Sequence, residues 1–161
     1  MSRSFIVDFD NYENITFRDI IEKLYELRDF DKLVDLKQAS ISKRVNNVST
    51  AITEDLLDTS INEGYFSFLI DEGRIFVTFG KRDPDINPYN QYKYYYYIES
   101  RHLTGIGRDL WVAAASALAS ITNGIVSSAD GAWDDDCEYS GDELWNEYLN
   151  CQRQKDIKKY S

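Results

Sequence analysis

Three closely spaced segments between residues 64 and 99 constrain the fold of this chain more than any other part of the sequence. Residues 64–70 (GYFSFLI) and 74–79 (RIFVTF) are rich in aromatic and β-branched side chains, and the turn Asp71-Glu72-Gly73 between them predicts a hairpin. Residues 91–99 (QYKYYYYIE) predict a third strand. Because short links join these strands in sequence, the simplest arrangement is an antiparallel meander over about 64–99.

The third predicted strand divides its side chains between two faces. One face carries Tyr92, Tyr94, Tyr96 and Ile98, and the other carries Lys93, Tyr95, Tyr97 and Glu99. Alternating tyrosines are most typical of half-buried sheet residues. Two functional alternatives are stacking on sugars or bases and anchoring of a protein interface.

Helical patterns flank the predicted meander on both sides. Residues 17–29 follow the N-cap Thr16 and place apolar side chains at helical spacing, so they predict an amphipathic helix. Residues 107–122 are almost wholly apolar and rich in Ala, which predicts a buried helix lying on the sheet. Near the C-terminus, Ser140 and Glu143 form a capping box that opens a last helix.

The remaining segments are less regular. Residues 5–9 and 124–127 predict short strands, whereas residues 31–62 predict helical segments, because apolar side chains recur there at intervals of three and four. Those side chains are Ile41, Val45, Val48, Ile52 and Leu56. We find no repeat or linker, so residues 1–161 are predicted to form a single α+β domain, an antiparallel sheet with helices packed on it.

Composition points to a cytoplasmic protein. The 161 residues include 43% hydrophobic and 14% aromatic residues, typical of a globular domain. No apolar run approaches the roughly 20 residues that a membrane-spanning helix needs, and the N-terminus lacks a signal-peptide pattern. The two cysteines, Cys137 and Cys151, are too few for a disulfide framework, which favours a reducing compartment.

Charge is the most informative property for binding partners. The formal net charge is −10, and residues 109–152 contain nine acids with no Lys or Arg. A field of this sign opposes nucleic acids and anionic membranes, whose affinity depends on cationic contacts. The sequence therefore favours a basic protein partner, with no nucleic acid and no membrane involved.

The densest acidic stretch is WDDDCEYSGDE, residues 133–143. An aromatic side chain ringed by charges is an arrangement that protein interfaces favour, and Trp133 lies inside this stretch. The alternative interpretation is a solvated loop. We predict a partner-binding surface consisting of Asp130, Trp133, Asp134, Asp135, Asp136, Glu138, Tyr139 and Asp142.

Catalytic and metal chemistry finds little support in the sequence. The acids between residues 130 and 143 do not follow the EF-hand pattern, and the single His102 has no second imidazole to complete a zinc site. No nucleophile or phosphate-loop motif is present, and the acids around Cys137 are the opposite of the electropositive surroundings in which reactive cysteines lie. We predict no enzyme activity, cofactor or metal. The alternative is a small enzyme or carbohydrate-binding module using the tyrosine strand and the clustered acids; a third possibility is an adaptor.

The segment from Leu110 to Leu149 resembles bacterial immunity proteins, particularly those of contact-dependent growth inhibition and related polymorphic toxin systems. The resemblance consists of an alanine-rich helix ending in ITNGIV, then SSADGAW, then a capped helix. It implies a non-catalytic inhibitor that binds the toxic C-terminal domain of an effector. Many such toxins are nucleases with basic surfaces, so the implied partner is a basic toxin domain and the implied function is its neutralisation.

Overall fold

The computed structural model describes residues 3–11, 14–71, 73–86, 88–89, 91–101, 105–129 and 137–155. Its main elements in chain order are β1 (Arg3–Phe9), α1 (Phe17–Glu26), α2 (Phe30–Leu33), β2 (Ser40–Val45), β3 (Val48–Ala51), β4 (Tyr65–Ile70), β5 (Gly73–Lys81), β6 (Tyr94–Arg101), α3 (Ile106–Thr122), β7 (Ile125–Ala129) and α4 (Gly141–Glu147). Short 3₁₀ turns cover Leu36–Gln38 and Glu54–Leu56, and a π-helical turn, Tyr148–Gln152, continues α4.

The strands form one antiparallel sheet. Over the described residues it has seven strands in the order β3-β2-β4-β5-β6-β1-β7. The predicted α+β class is confirmed, and the predicted meander is β4, β5 and β6. The strands predicted at 5–9 and 124–127 are β1 and β7, and β1 pairs with both β6 and β7.

The predicted helix starts are confirmed by their caps. The Thr16 hydroxyl accepts a hydrogen bond from the Asp19 amide at 3.2 Å, and the Asp19 carboxylate accepts one from the Thr16 amide at 2.9 Å. At α4, the Ser140 hydroxyl accepts a bond from the Glu143 amide at 3.3 Å. Each cap satisfies backbone donors that the first helical turn leaves free, so these side chains fix where the helices begin.

The prediction of helical segments over residues 31–62 is wrong for residues 40–51. Residues 40–45 and 48–51 form the β2–β3 hairpin, in which Val45 pairs with Val48 across the two-residue turn Asn46-Asn47. Both asparagines have positive φ, 50° and 66°, as a tight hairpin turn requires. Spacing of four residues also keeps side chains on one face of a strand, so Ile41 and Val45 satisfied both patterns.

One face of the sheet is covered by helices. The α3 side chains are buried over most of its length, and the Trp111 ring stacks on Phe5 of β1 with 4.4 Å between ring centroids. The indole nitrogen of Trp111 donates to the Ile98 carbonyl at 3.1 Å, which joins α3 to β6. Both α1 and α4 pack on α3. Among the described residues, no helix combines the length and apolarity needed to cross a bilayer.

Candidate functional site

Much of the predicted partner-binding surface lies outside the described residues. This applies to Asp130, Trp133, Asp134, Asp135 and Asp136. The structure does describe the end of the acidic stretch, where Glu138 and Asp142 are exposed and Tyr139 is partly buried.

Backbone pairing anchors this end of the stretch. The Val126 amide of β7 donates to the Tyr139 carbonyl at 2.7 Å, and the Tyr139 amide donates to the Val126 carbonyl at 2.9 Å. The Tyr139 side chain also packs against the core. The acidic stretch therefore returns to the edge of the sheet immediately before α4 begins.

The first turn of α4 lies very close to α3. A Cβ atom placed on Gly141 would meet the Ser120 hydroxyl oxygen at 2.2 Å and the Ser116 carbonyl oxygen at 2.4 Å. Glycine is therefore required at this contact, which fixes the backbone from which Asp142 and Glu143 project. Both of these side chains are exposed.

A groove of about 260 Å³ separates α1 from α4. It is lined by Lys23, Glu26, Leu27, Arg28, Asp142, Trp145 and Asn146. Trp145 is buried, and its indole nitrogen donates to the Arg28 carbonyl at 2.8 Å. Two carboxylates and two bases thus line the same depression.

We name the exposed acids on α1 and around the start of α4 the acidic helical surface. It consists of Asp19, Glu22, Glu26, Glu138, Asp142 and Glu143. Lys23 pairs with Glu26 at 3.1 Å. Within the described part of the chain, no ion pair reaches Glu22 or the three acids around the start of α4. Because Arg18 interacts electrostatically with Glu22, the charge most available to a partner is that of Glu138, Asp142 and Glu143.

One acid of the base-free segment has a structural role that the sequence did not predict. Asp109 of α3 is 2% exposed and accepts hydrogen bonds from the Tyr148 hydroxyl at 2.6 Å and from Arg153 Nε at 2.9 Å. The bond with Asp109 raises the pKa of the Arg153 guanidinium. Arg153 lies one residue beyond the base-free segment, so its charge neutralises Asp109 and attaches the end of the helical region to α3.

The face of the sheet opposite the helices is the second surface of interest. Along β6, Tyr96 and Ile98 are fully buried, whereas Tyr95, Tyr97 and Glu99 are partly exposed on the other face. The predicted alternation of this strand is confirmed. The sequence did not predict the arginines that join the exposed side, because they come from β5, the end of β6 and the loop after β5.

No metal cluster accompanies either surface within the described ranges: no group of three or more His, Cys, Asp or Glu side chains is arranged to bind an ion there. A second depression, of about 200 Å³, lies beside the β2–β3 hairpin and is lined largely by apolar side chains. Comparisons with protein-family models, with characterised proteins and with solved structures found no match to this chain.

Proposed function

We propose that this protein is an immunity protein that binds and neutralises a basic toxin domain, and we expect that domain to be a nuclease. The proposed binding surface is the acidic helical surface together with the acidic stretch that precedes α4 in the chain. The observation that carries the proposal is the group of exposed carboxylates around the start of α4, Glu138, Asp142 and Glu143, which form no ion pair with another described residue. Residues 130–138 contain five acids and no base, and they directly precede this region in the sequence, because Tyr139 and α4 follow them.

Unpaired carboxylates on one side of a protein create a field that attracts a cationic partner over a distance of about a Debye length, roughly 10 Å at 0.1 M salt. Such steering raises association rates to as much as roughly 10⁸–10⁹ M⁻¹s⁻¹ at low salt. A nuclease surface that binds phosphates is cationic, so an acidic inhibitor can cover it. The resemblance of residues 110–149 to immunity proteins supports the same function.

The fixed backbone around Asp142 also supports a binding role. The Ser140 cap, the Tyr139 backbone pairing and the close contact of Gly141 with α3 hold the backbone beside this carboxylate in place. A fixed backbone loses little loop entropy when a partner binds, which favours a long-lived complex.

The test begins by asking whether a neighbouring gene encodes an effector with a C-terminal toxin domain, and then uses that domain as the partner. We expect Glu138→Lys with Asp142→Lys to slow association about tenfold or more at low salt, with the difference shrinking as salt is added. Asp134→Lys with Asp136→Lys extends the test to the middle of the acidic stretch. The matched control, Asp55→Lys with Asp85→Lys, makes the same change in net charge at exposed residues outside α1 and α4.

Stopped-flow fluorescence and protection of cells that co-express the toxin domain provide the two readouts. Circular dichroism of each variant verifies that α4 still forms, because a Lys in its first turn opposes the helix dipole. If the control variant slowed association as much as the two test variants, net charge alone would explain the effect. That result would contradict the assignment of the surface.

The exposed aromatic residues support the alternative function, a sugar-binding module, less well than the acids support toxin binding. Guanidinium groups lie over the Phe76 and Tyr95 rings, at 4.9 Å for Arg101 and 4.8 Å for Arg82. These arginines occupy ring faces on which a sugar would stack. Turnover or sugar binding that is lost in Glu143→Gln would favour the alternative instead.

A further inference from the structure

The face of the sheet that the helices leave uncovered, which we name the open face, carries an organised set of aromatic and arginine side chains. The pairing register aligns its residues in rows across the strands. The first row contains Leu69, Arg74 and Arg101, and the second contains Ser42, Ser67, Phe76, Glu99 and Ser4. The third row contains Arg44, Tyr65, Thr78, Tyr97 and Ile6, and the fourth contains Gly80, Tyr95 and Asp8.

Phe76 is the centre of the first cluster on this face. The guanidinium carbons of Arg101 and Arg74 lie 4.9 Å and 5.8 Å from the centroid of its ring. The Tyr65 ring lies beside it, with 6.0 Å between centroids. Arg101 Nε donates to Glu99 at 3.2 Å. An aromatic ring flanked by two exposed arginines has the composition of a protein-interface hot spot.

Tyr95 is the centre of the second cluster, and a glycine makes room for it. A Cβ atom on Gly80 would meet the far end of the Tyr95 ring at 2.2 Å, so the ring lies directly on the β5 backbone. Arg82 lies over the same ring at 4.8 Å and donates from Nε to Asp8 at 3.1 Å. The guanidinium is therefore held in place, with its charge neutralised by Asp8.

The charges of the open face do not cancel. Asp8 neutralises Arg82, and Glu99 accepts only from Nε of Arg101. Among the residues that the structure describes, no carboxylate pairs with Arg74 or Arg44. A chain with a net charge of −10 thus carries a surface with unneutralised guanidinium groups on the side opposite its helices.

We infer that the open face is a docking surface for an acidic segment of a partner protein, with Arg74 and Arg101, which Phe76 supports, binding its carboxylates. Guanidinium groups match carboxylates in planar, two-bond geometry, which makes them suited to this task. A nucleic acid is disfavoured as the occupant, because its phosphates follow one another without a break and would also meet Asp8, Glu99 and the acidic remainder of the molecule, whereas a short acidic segment can be bound by the two arginines alone. This inference does not depend on the proposed inhibitor function.

The experiment measures fluorescence anisotropy of a labelled random copolymer of Glu and Tyr mixed with the full chain. We expect Arg74→Gln with Arg101→Gln to weaken binding about tenfold or more, because two charged hydrogen-bonding groups are lost. Arg74→Lys with Arg101→Lys keeps the charge but loses the planar fork, and we expect an intermediate loss. The matched control, Arg18→Gln with Lys32→Gln, removes the same charge from the helical side and is expected to leave binding unchanged.

Thermal unfolding verifies that each variant is folded, which is expected because Arg74 and Arg101 are exposed. Equal weakening by the control pair, or no binding of the copolymer by the wild-type chain, would overturn the inference. So would binding of a labelled oligo-thymidine that depends on Arg74 and Arg101. Self-association seen by sedimentation and abolished by the Gln variants would instead identify a second copy of the chain as the occupant, and would also overturn it.

Discussion

The two faces of the sheet are built by the same strands but differ in nearly every physical property. On the helical side, Phe5 and Val7 of β1 and Tyr96 of β6 are at most 1% exposed and lie under α3. On the open face, Ile6 and Tyr97 from the same two strands are partly exposed. Because successive side chains alternate between faces, one strand supplies both the core and a surface without compromise between them.

Charge also differs between the two sides. The helical side presents exposed acids around the start of α4 and a mixture of acids and bases on α1, whereas the open face presents arginines stacked on aromatic rings together with Asp8 and Glu99. The net charge of −10 describes neither surface well. The distribution of charge, more than its sum, decides which partners each side attracts.

The largest expected contrast comes from neighbouring residues of β1 on opposite faces. Phe5→Ala removes a ring stacked on Trp111 in the core and is expected to lower the free energy of unfolding by about 3–5 kcal/mol. Ile6→Ala on the open face is expected to cost about 1 kcal/mol, because that side chain is only partly buried. Urea unfolding measures both. Equal losses would mean that the open face is covered in solution.

A second contrast compares one ion pair from each side. Asp109→Asn removes a buried charge that binds Tyr148 and Arg153, and we expect a loss of about 2–3 kcal/mol in the free energy of unfolding. Glu99→Gln breaks the more exposed pair with Arg101 and should cost less than about 0.5 kcal/mol. If denaturant titration ranked these variants in the reverse order, the Asp109 pair would not have the structural role described above.

The third contrast uses two glycines. Gly141→Ala forces a methyl group against the α3 backbone, and we expect it to cost about 1–3 kcal/mol and to displace α4. Gly80→Ala meets only the end of the Tyr95 ring, which can swing away, so its cost should be below about 1 kcal/mol. Chemical shifts of the Tyr95 ring protons report that movement, and unchanged shifts in Gly80→Ala would contradict the stacked geometry.

The smallest expected effect concerns an exposed pair on α1. The hydrogen bond from Arg18 to Asp58 lowers the pKa of the Asp58 carboxyl below its ordinary value of 3.8. A carboxyl with a lowered folded-state pKa stabilises the fold at pH values above its unfolded pKa. This stabilisation disappears as the pH falls through the folded value.

Asp58→Asn should therefore reduce stability slightly at neutral pH and match the wild type in strong acid, as measured by urea midpoints across that range. A difference that persists unchanged into strong acid would show that the Asp58 charge is not its cause. The pair is solvent-exposed, so we expect the change to lie near the limit of detection.

Local sequence patterns were sufficient for much of the fold. The Thr16 and Ser140 caps, the buried helix at 107–122 and the alternation of residues 94–99 each depend on residues only a few positions apart. The β2–β3 hairpin was missed because the spacing of Ile41, Val45 and Val48 also fits a helix. Two adjacent asparagines, both able to adopt positive φ, were the signal for its turn.

What the sequence could not provide depends on contacts between distant residues. The position of β1 between β6 and β7, and the stacking of Arg82 on Tyr95, arise only when the sheet is assembled. Asp109 and Arg153 are 44 positions apart, and Arg153 lies beyond the base-free segment. The sequence therefore did not indicate that these two residues pair. Of the predicted surface, the structure describes Glu138, Tyr139 and Asp142; the residues between 130 and 136 lie outside the described ranges and stay a prediction.

The separation of the chain into an acidic helical surface and a cationic open face is tested most directly by an NMR titration of the labelled protein with two copolymers. We expect a copolymer of Lys and Tyr to shift the backbone amide signals of Glu26 and Asp142 and to leave β5 and β6 unchanged. A copolymer of Glu and Tyr should do the reverse, shifting the signals of Arg74, Phe76 and Arg101. If both copolymers shifted the same residues, or if the cationic one bound the open face, the division into two surfaces of opposite charge would be contradicted.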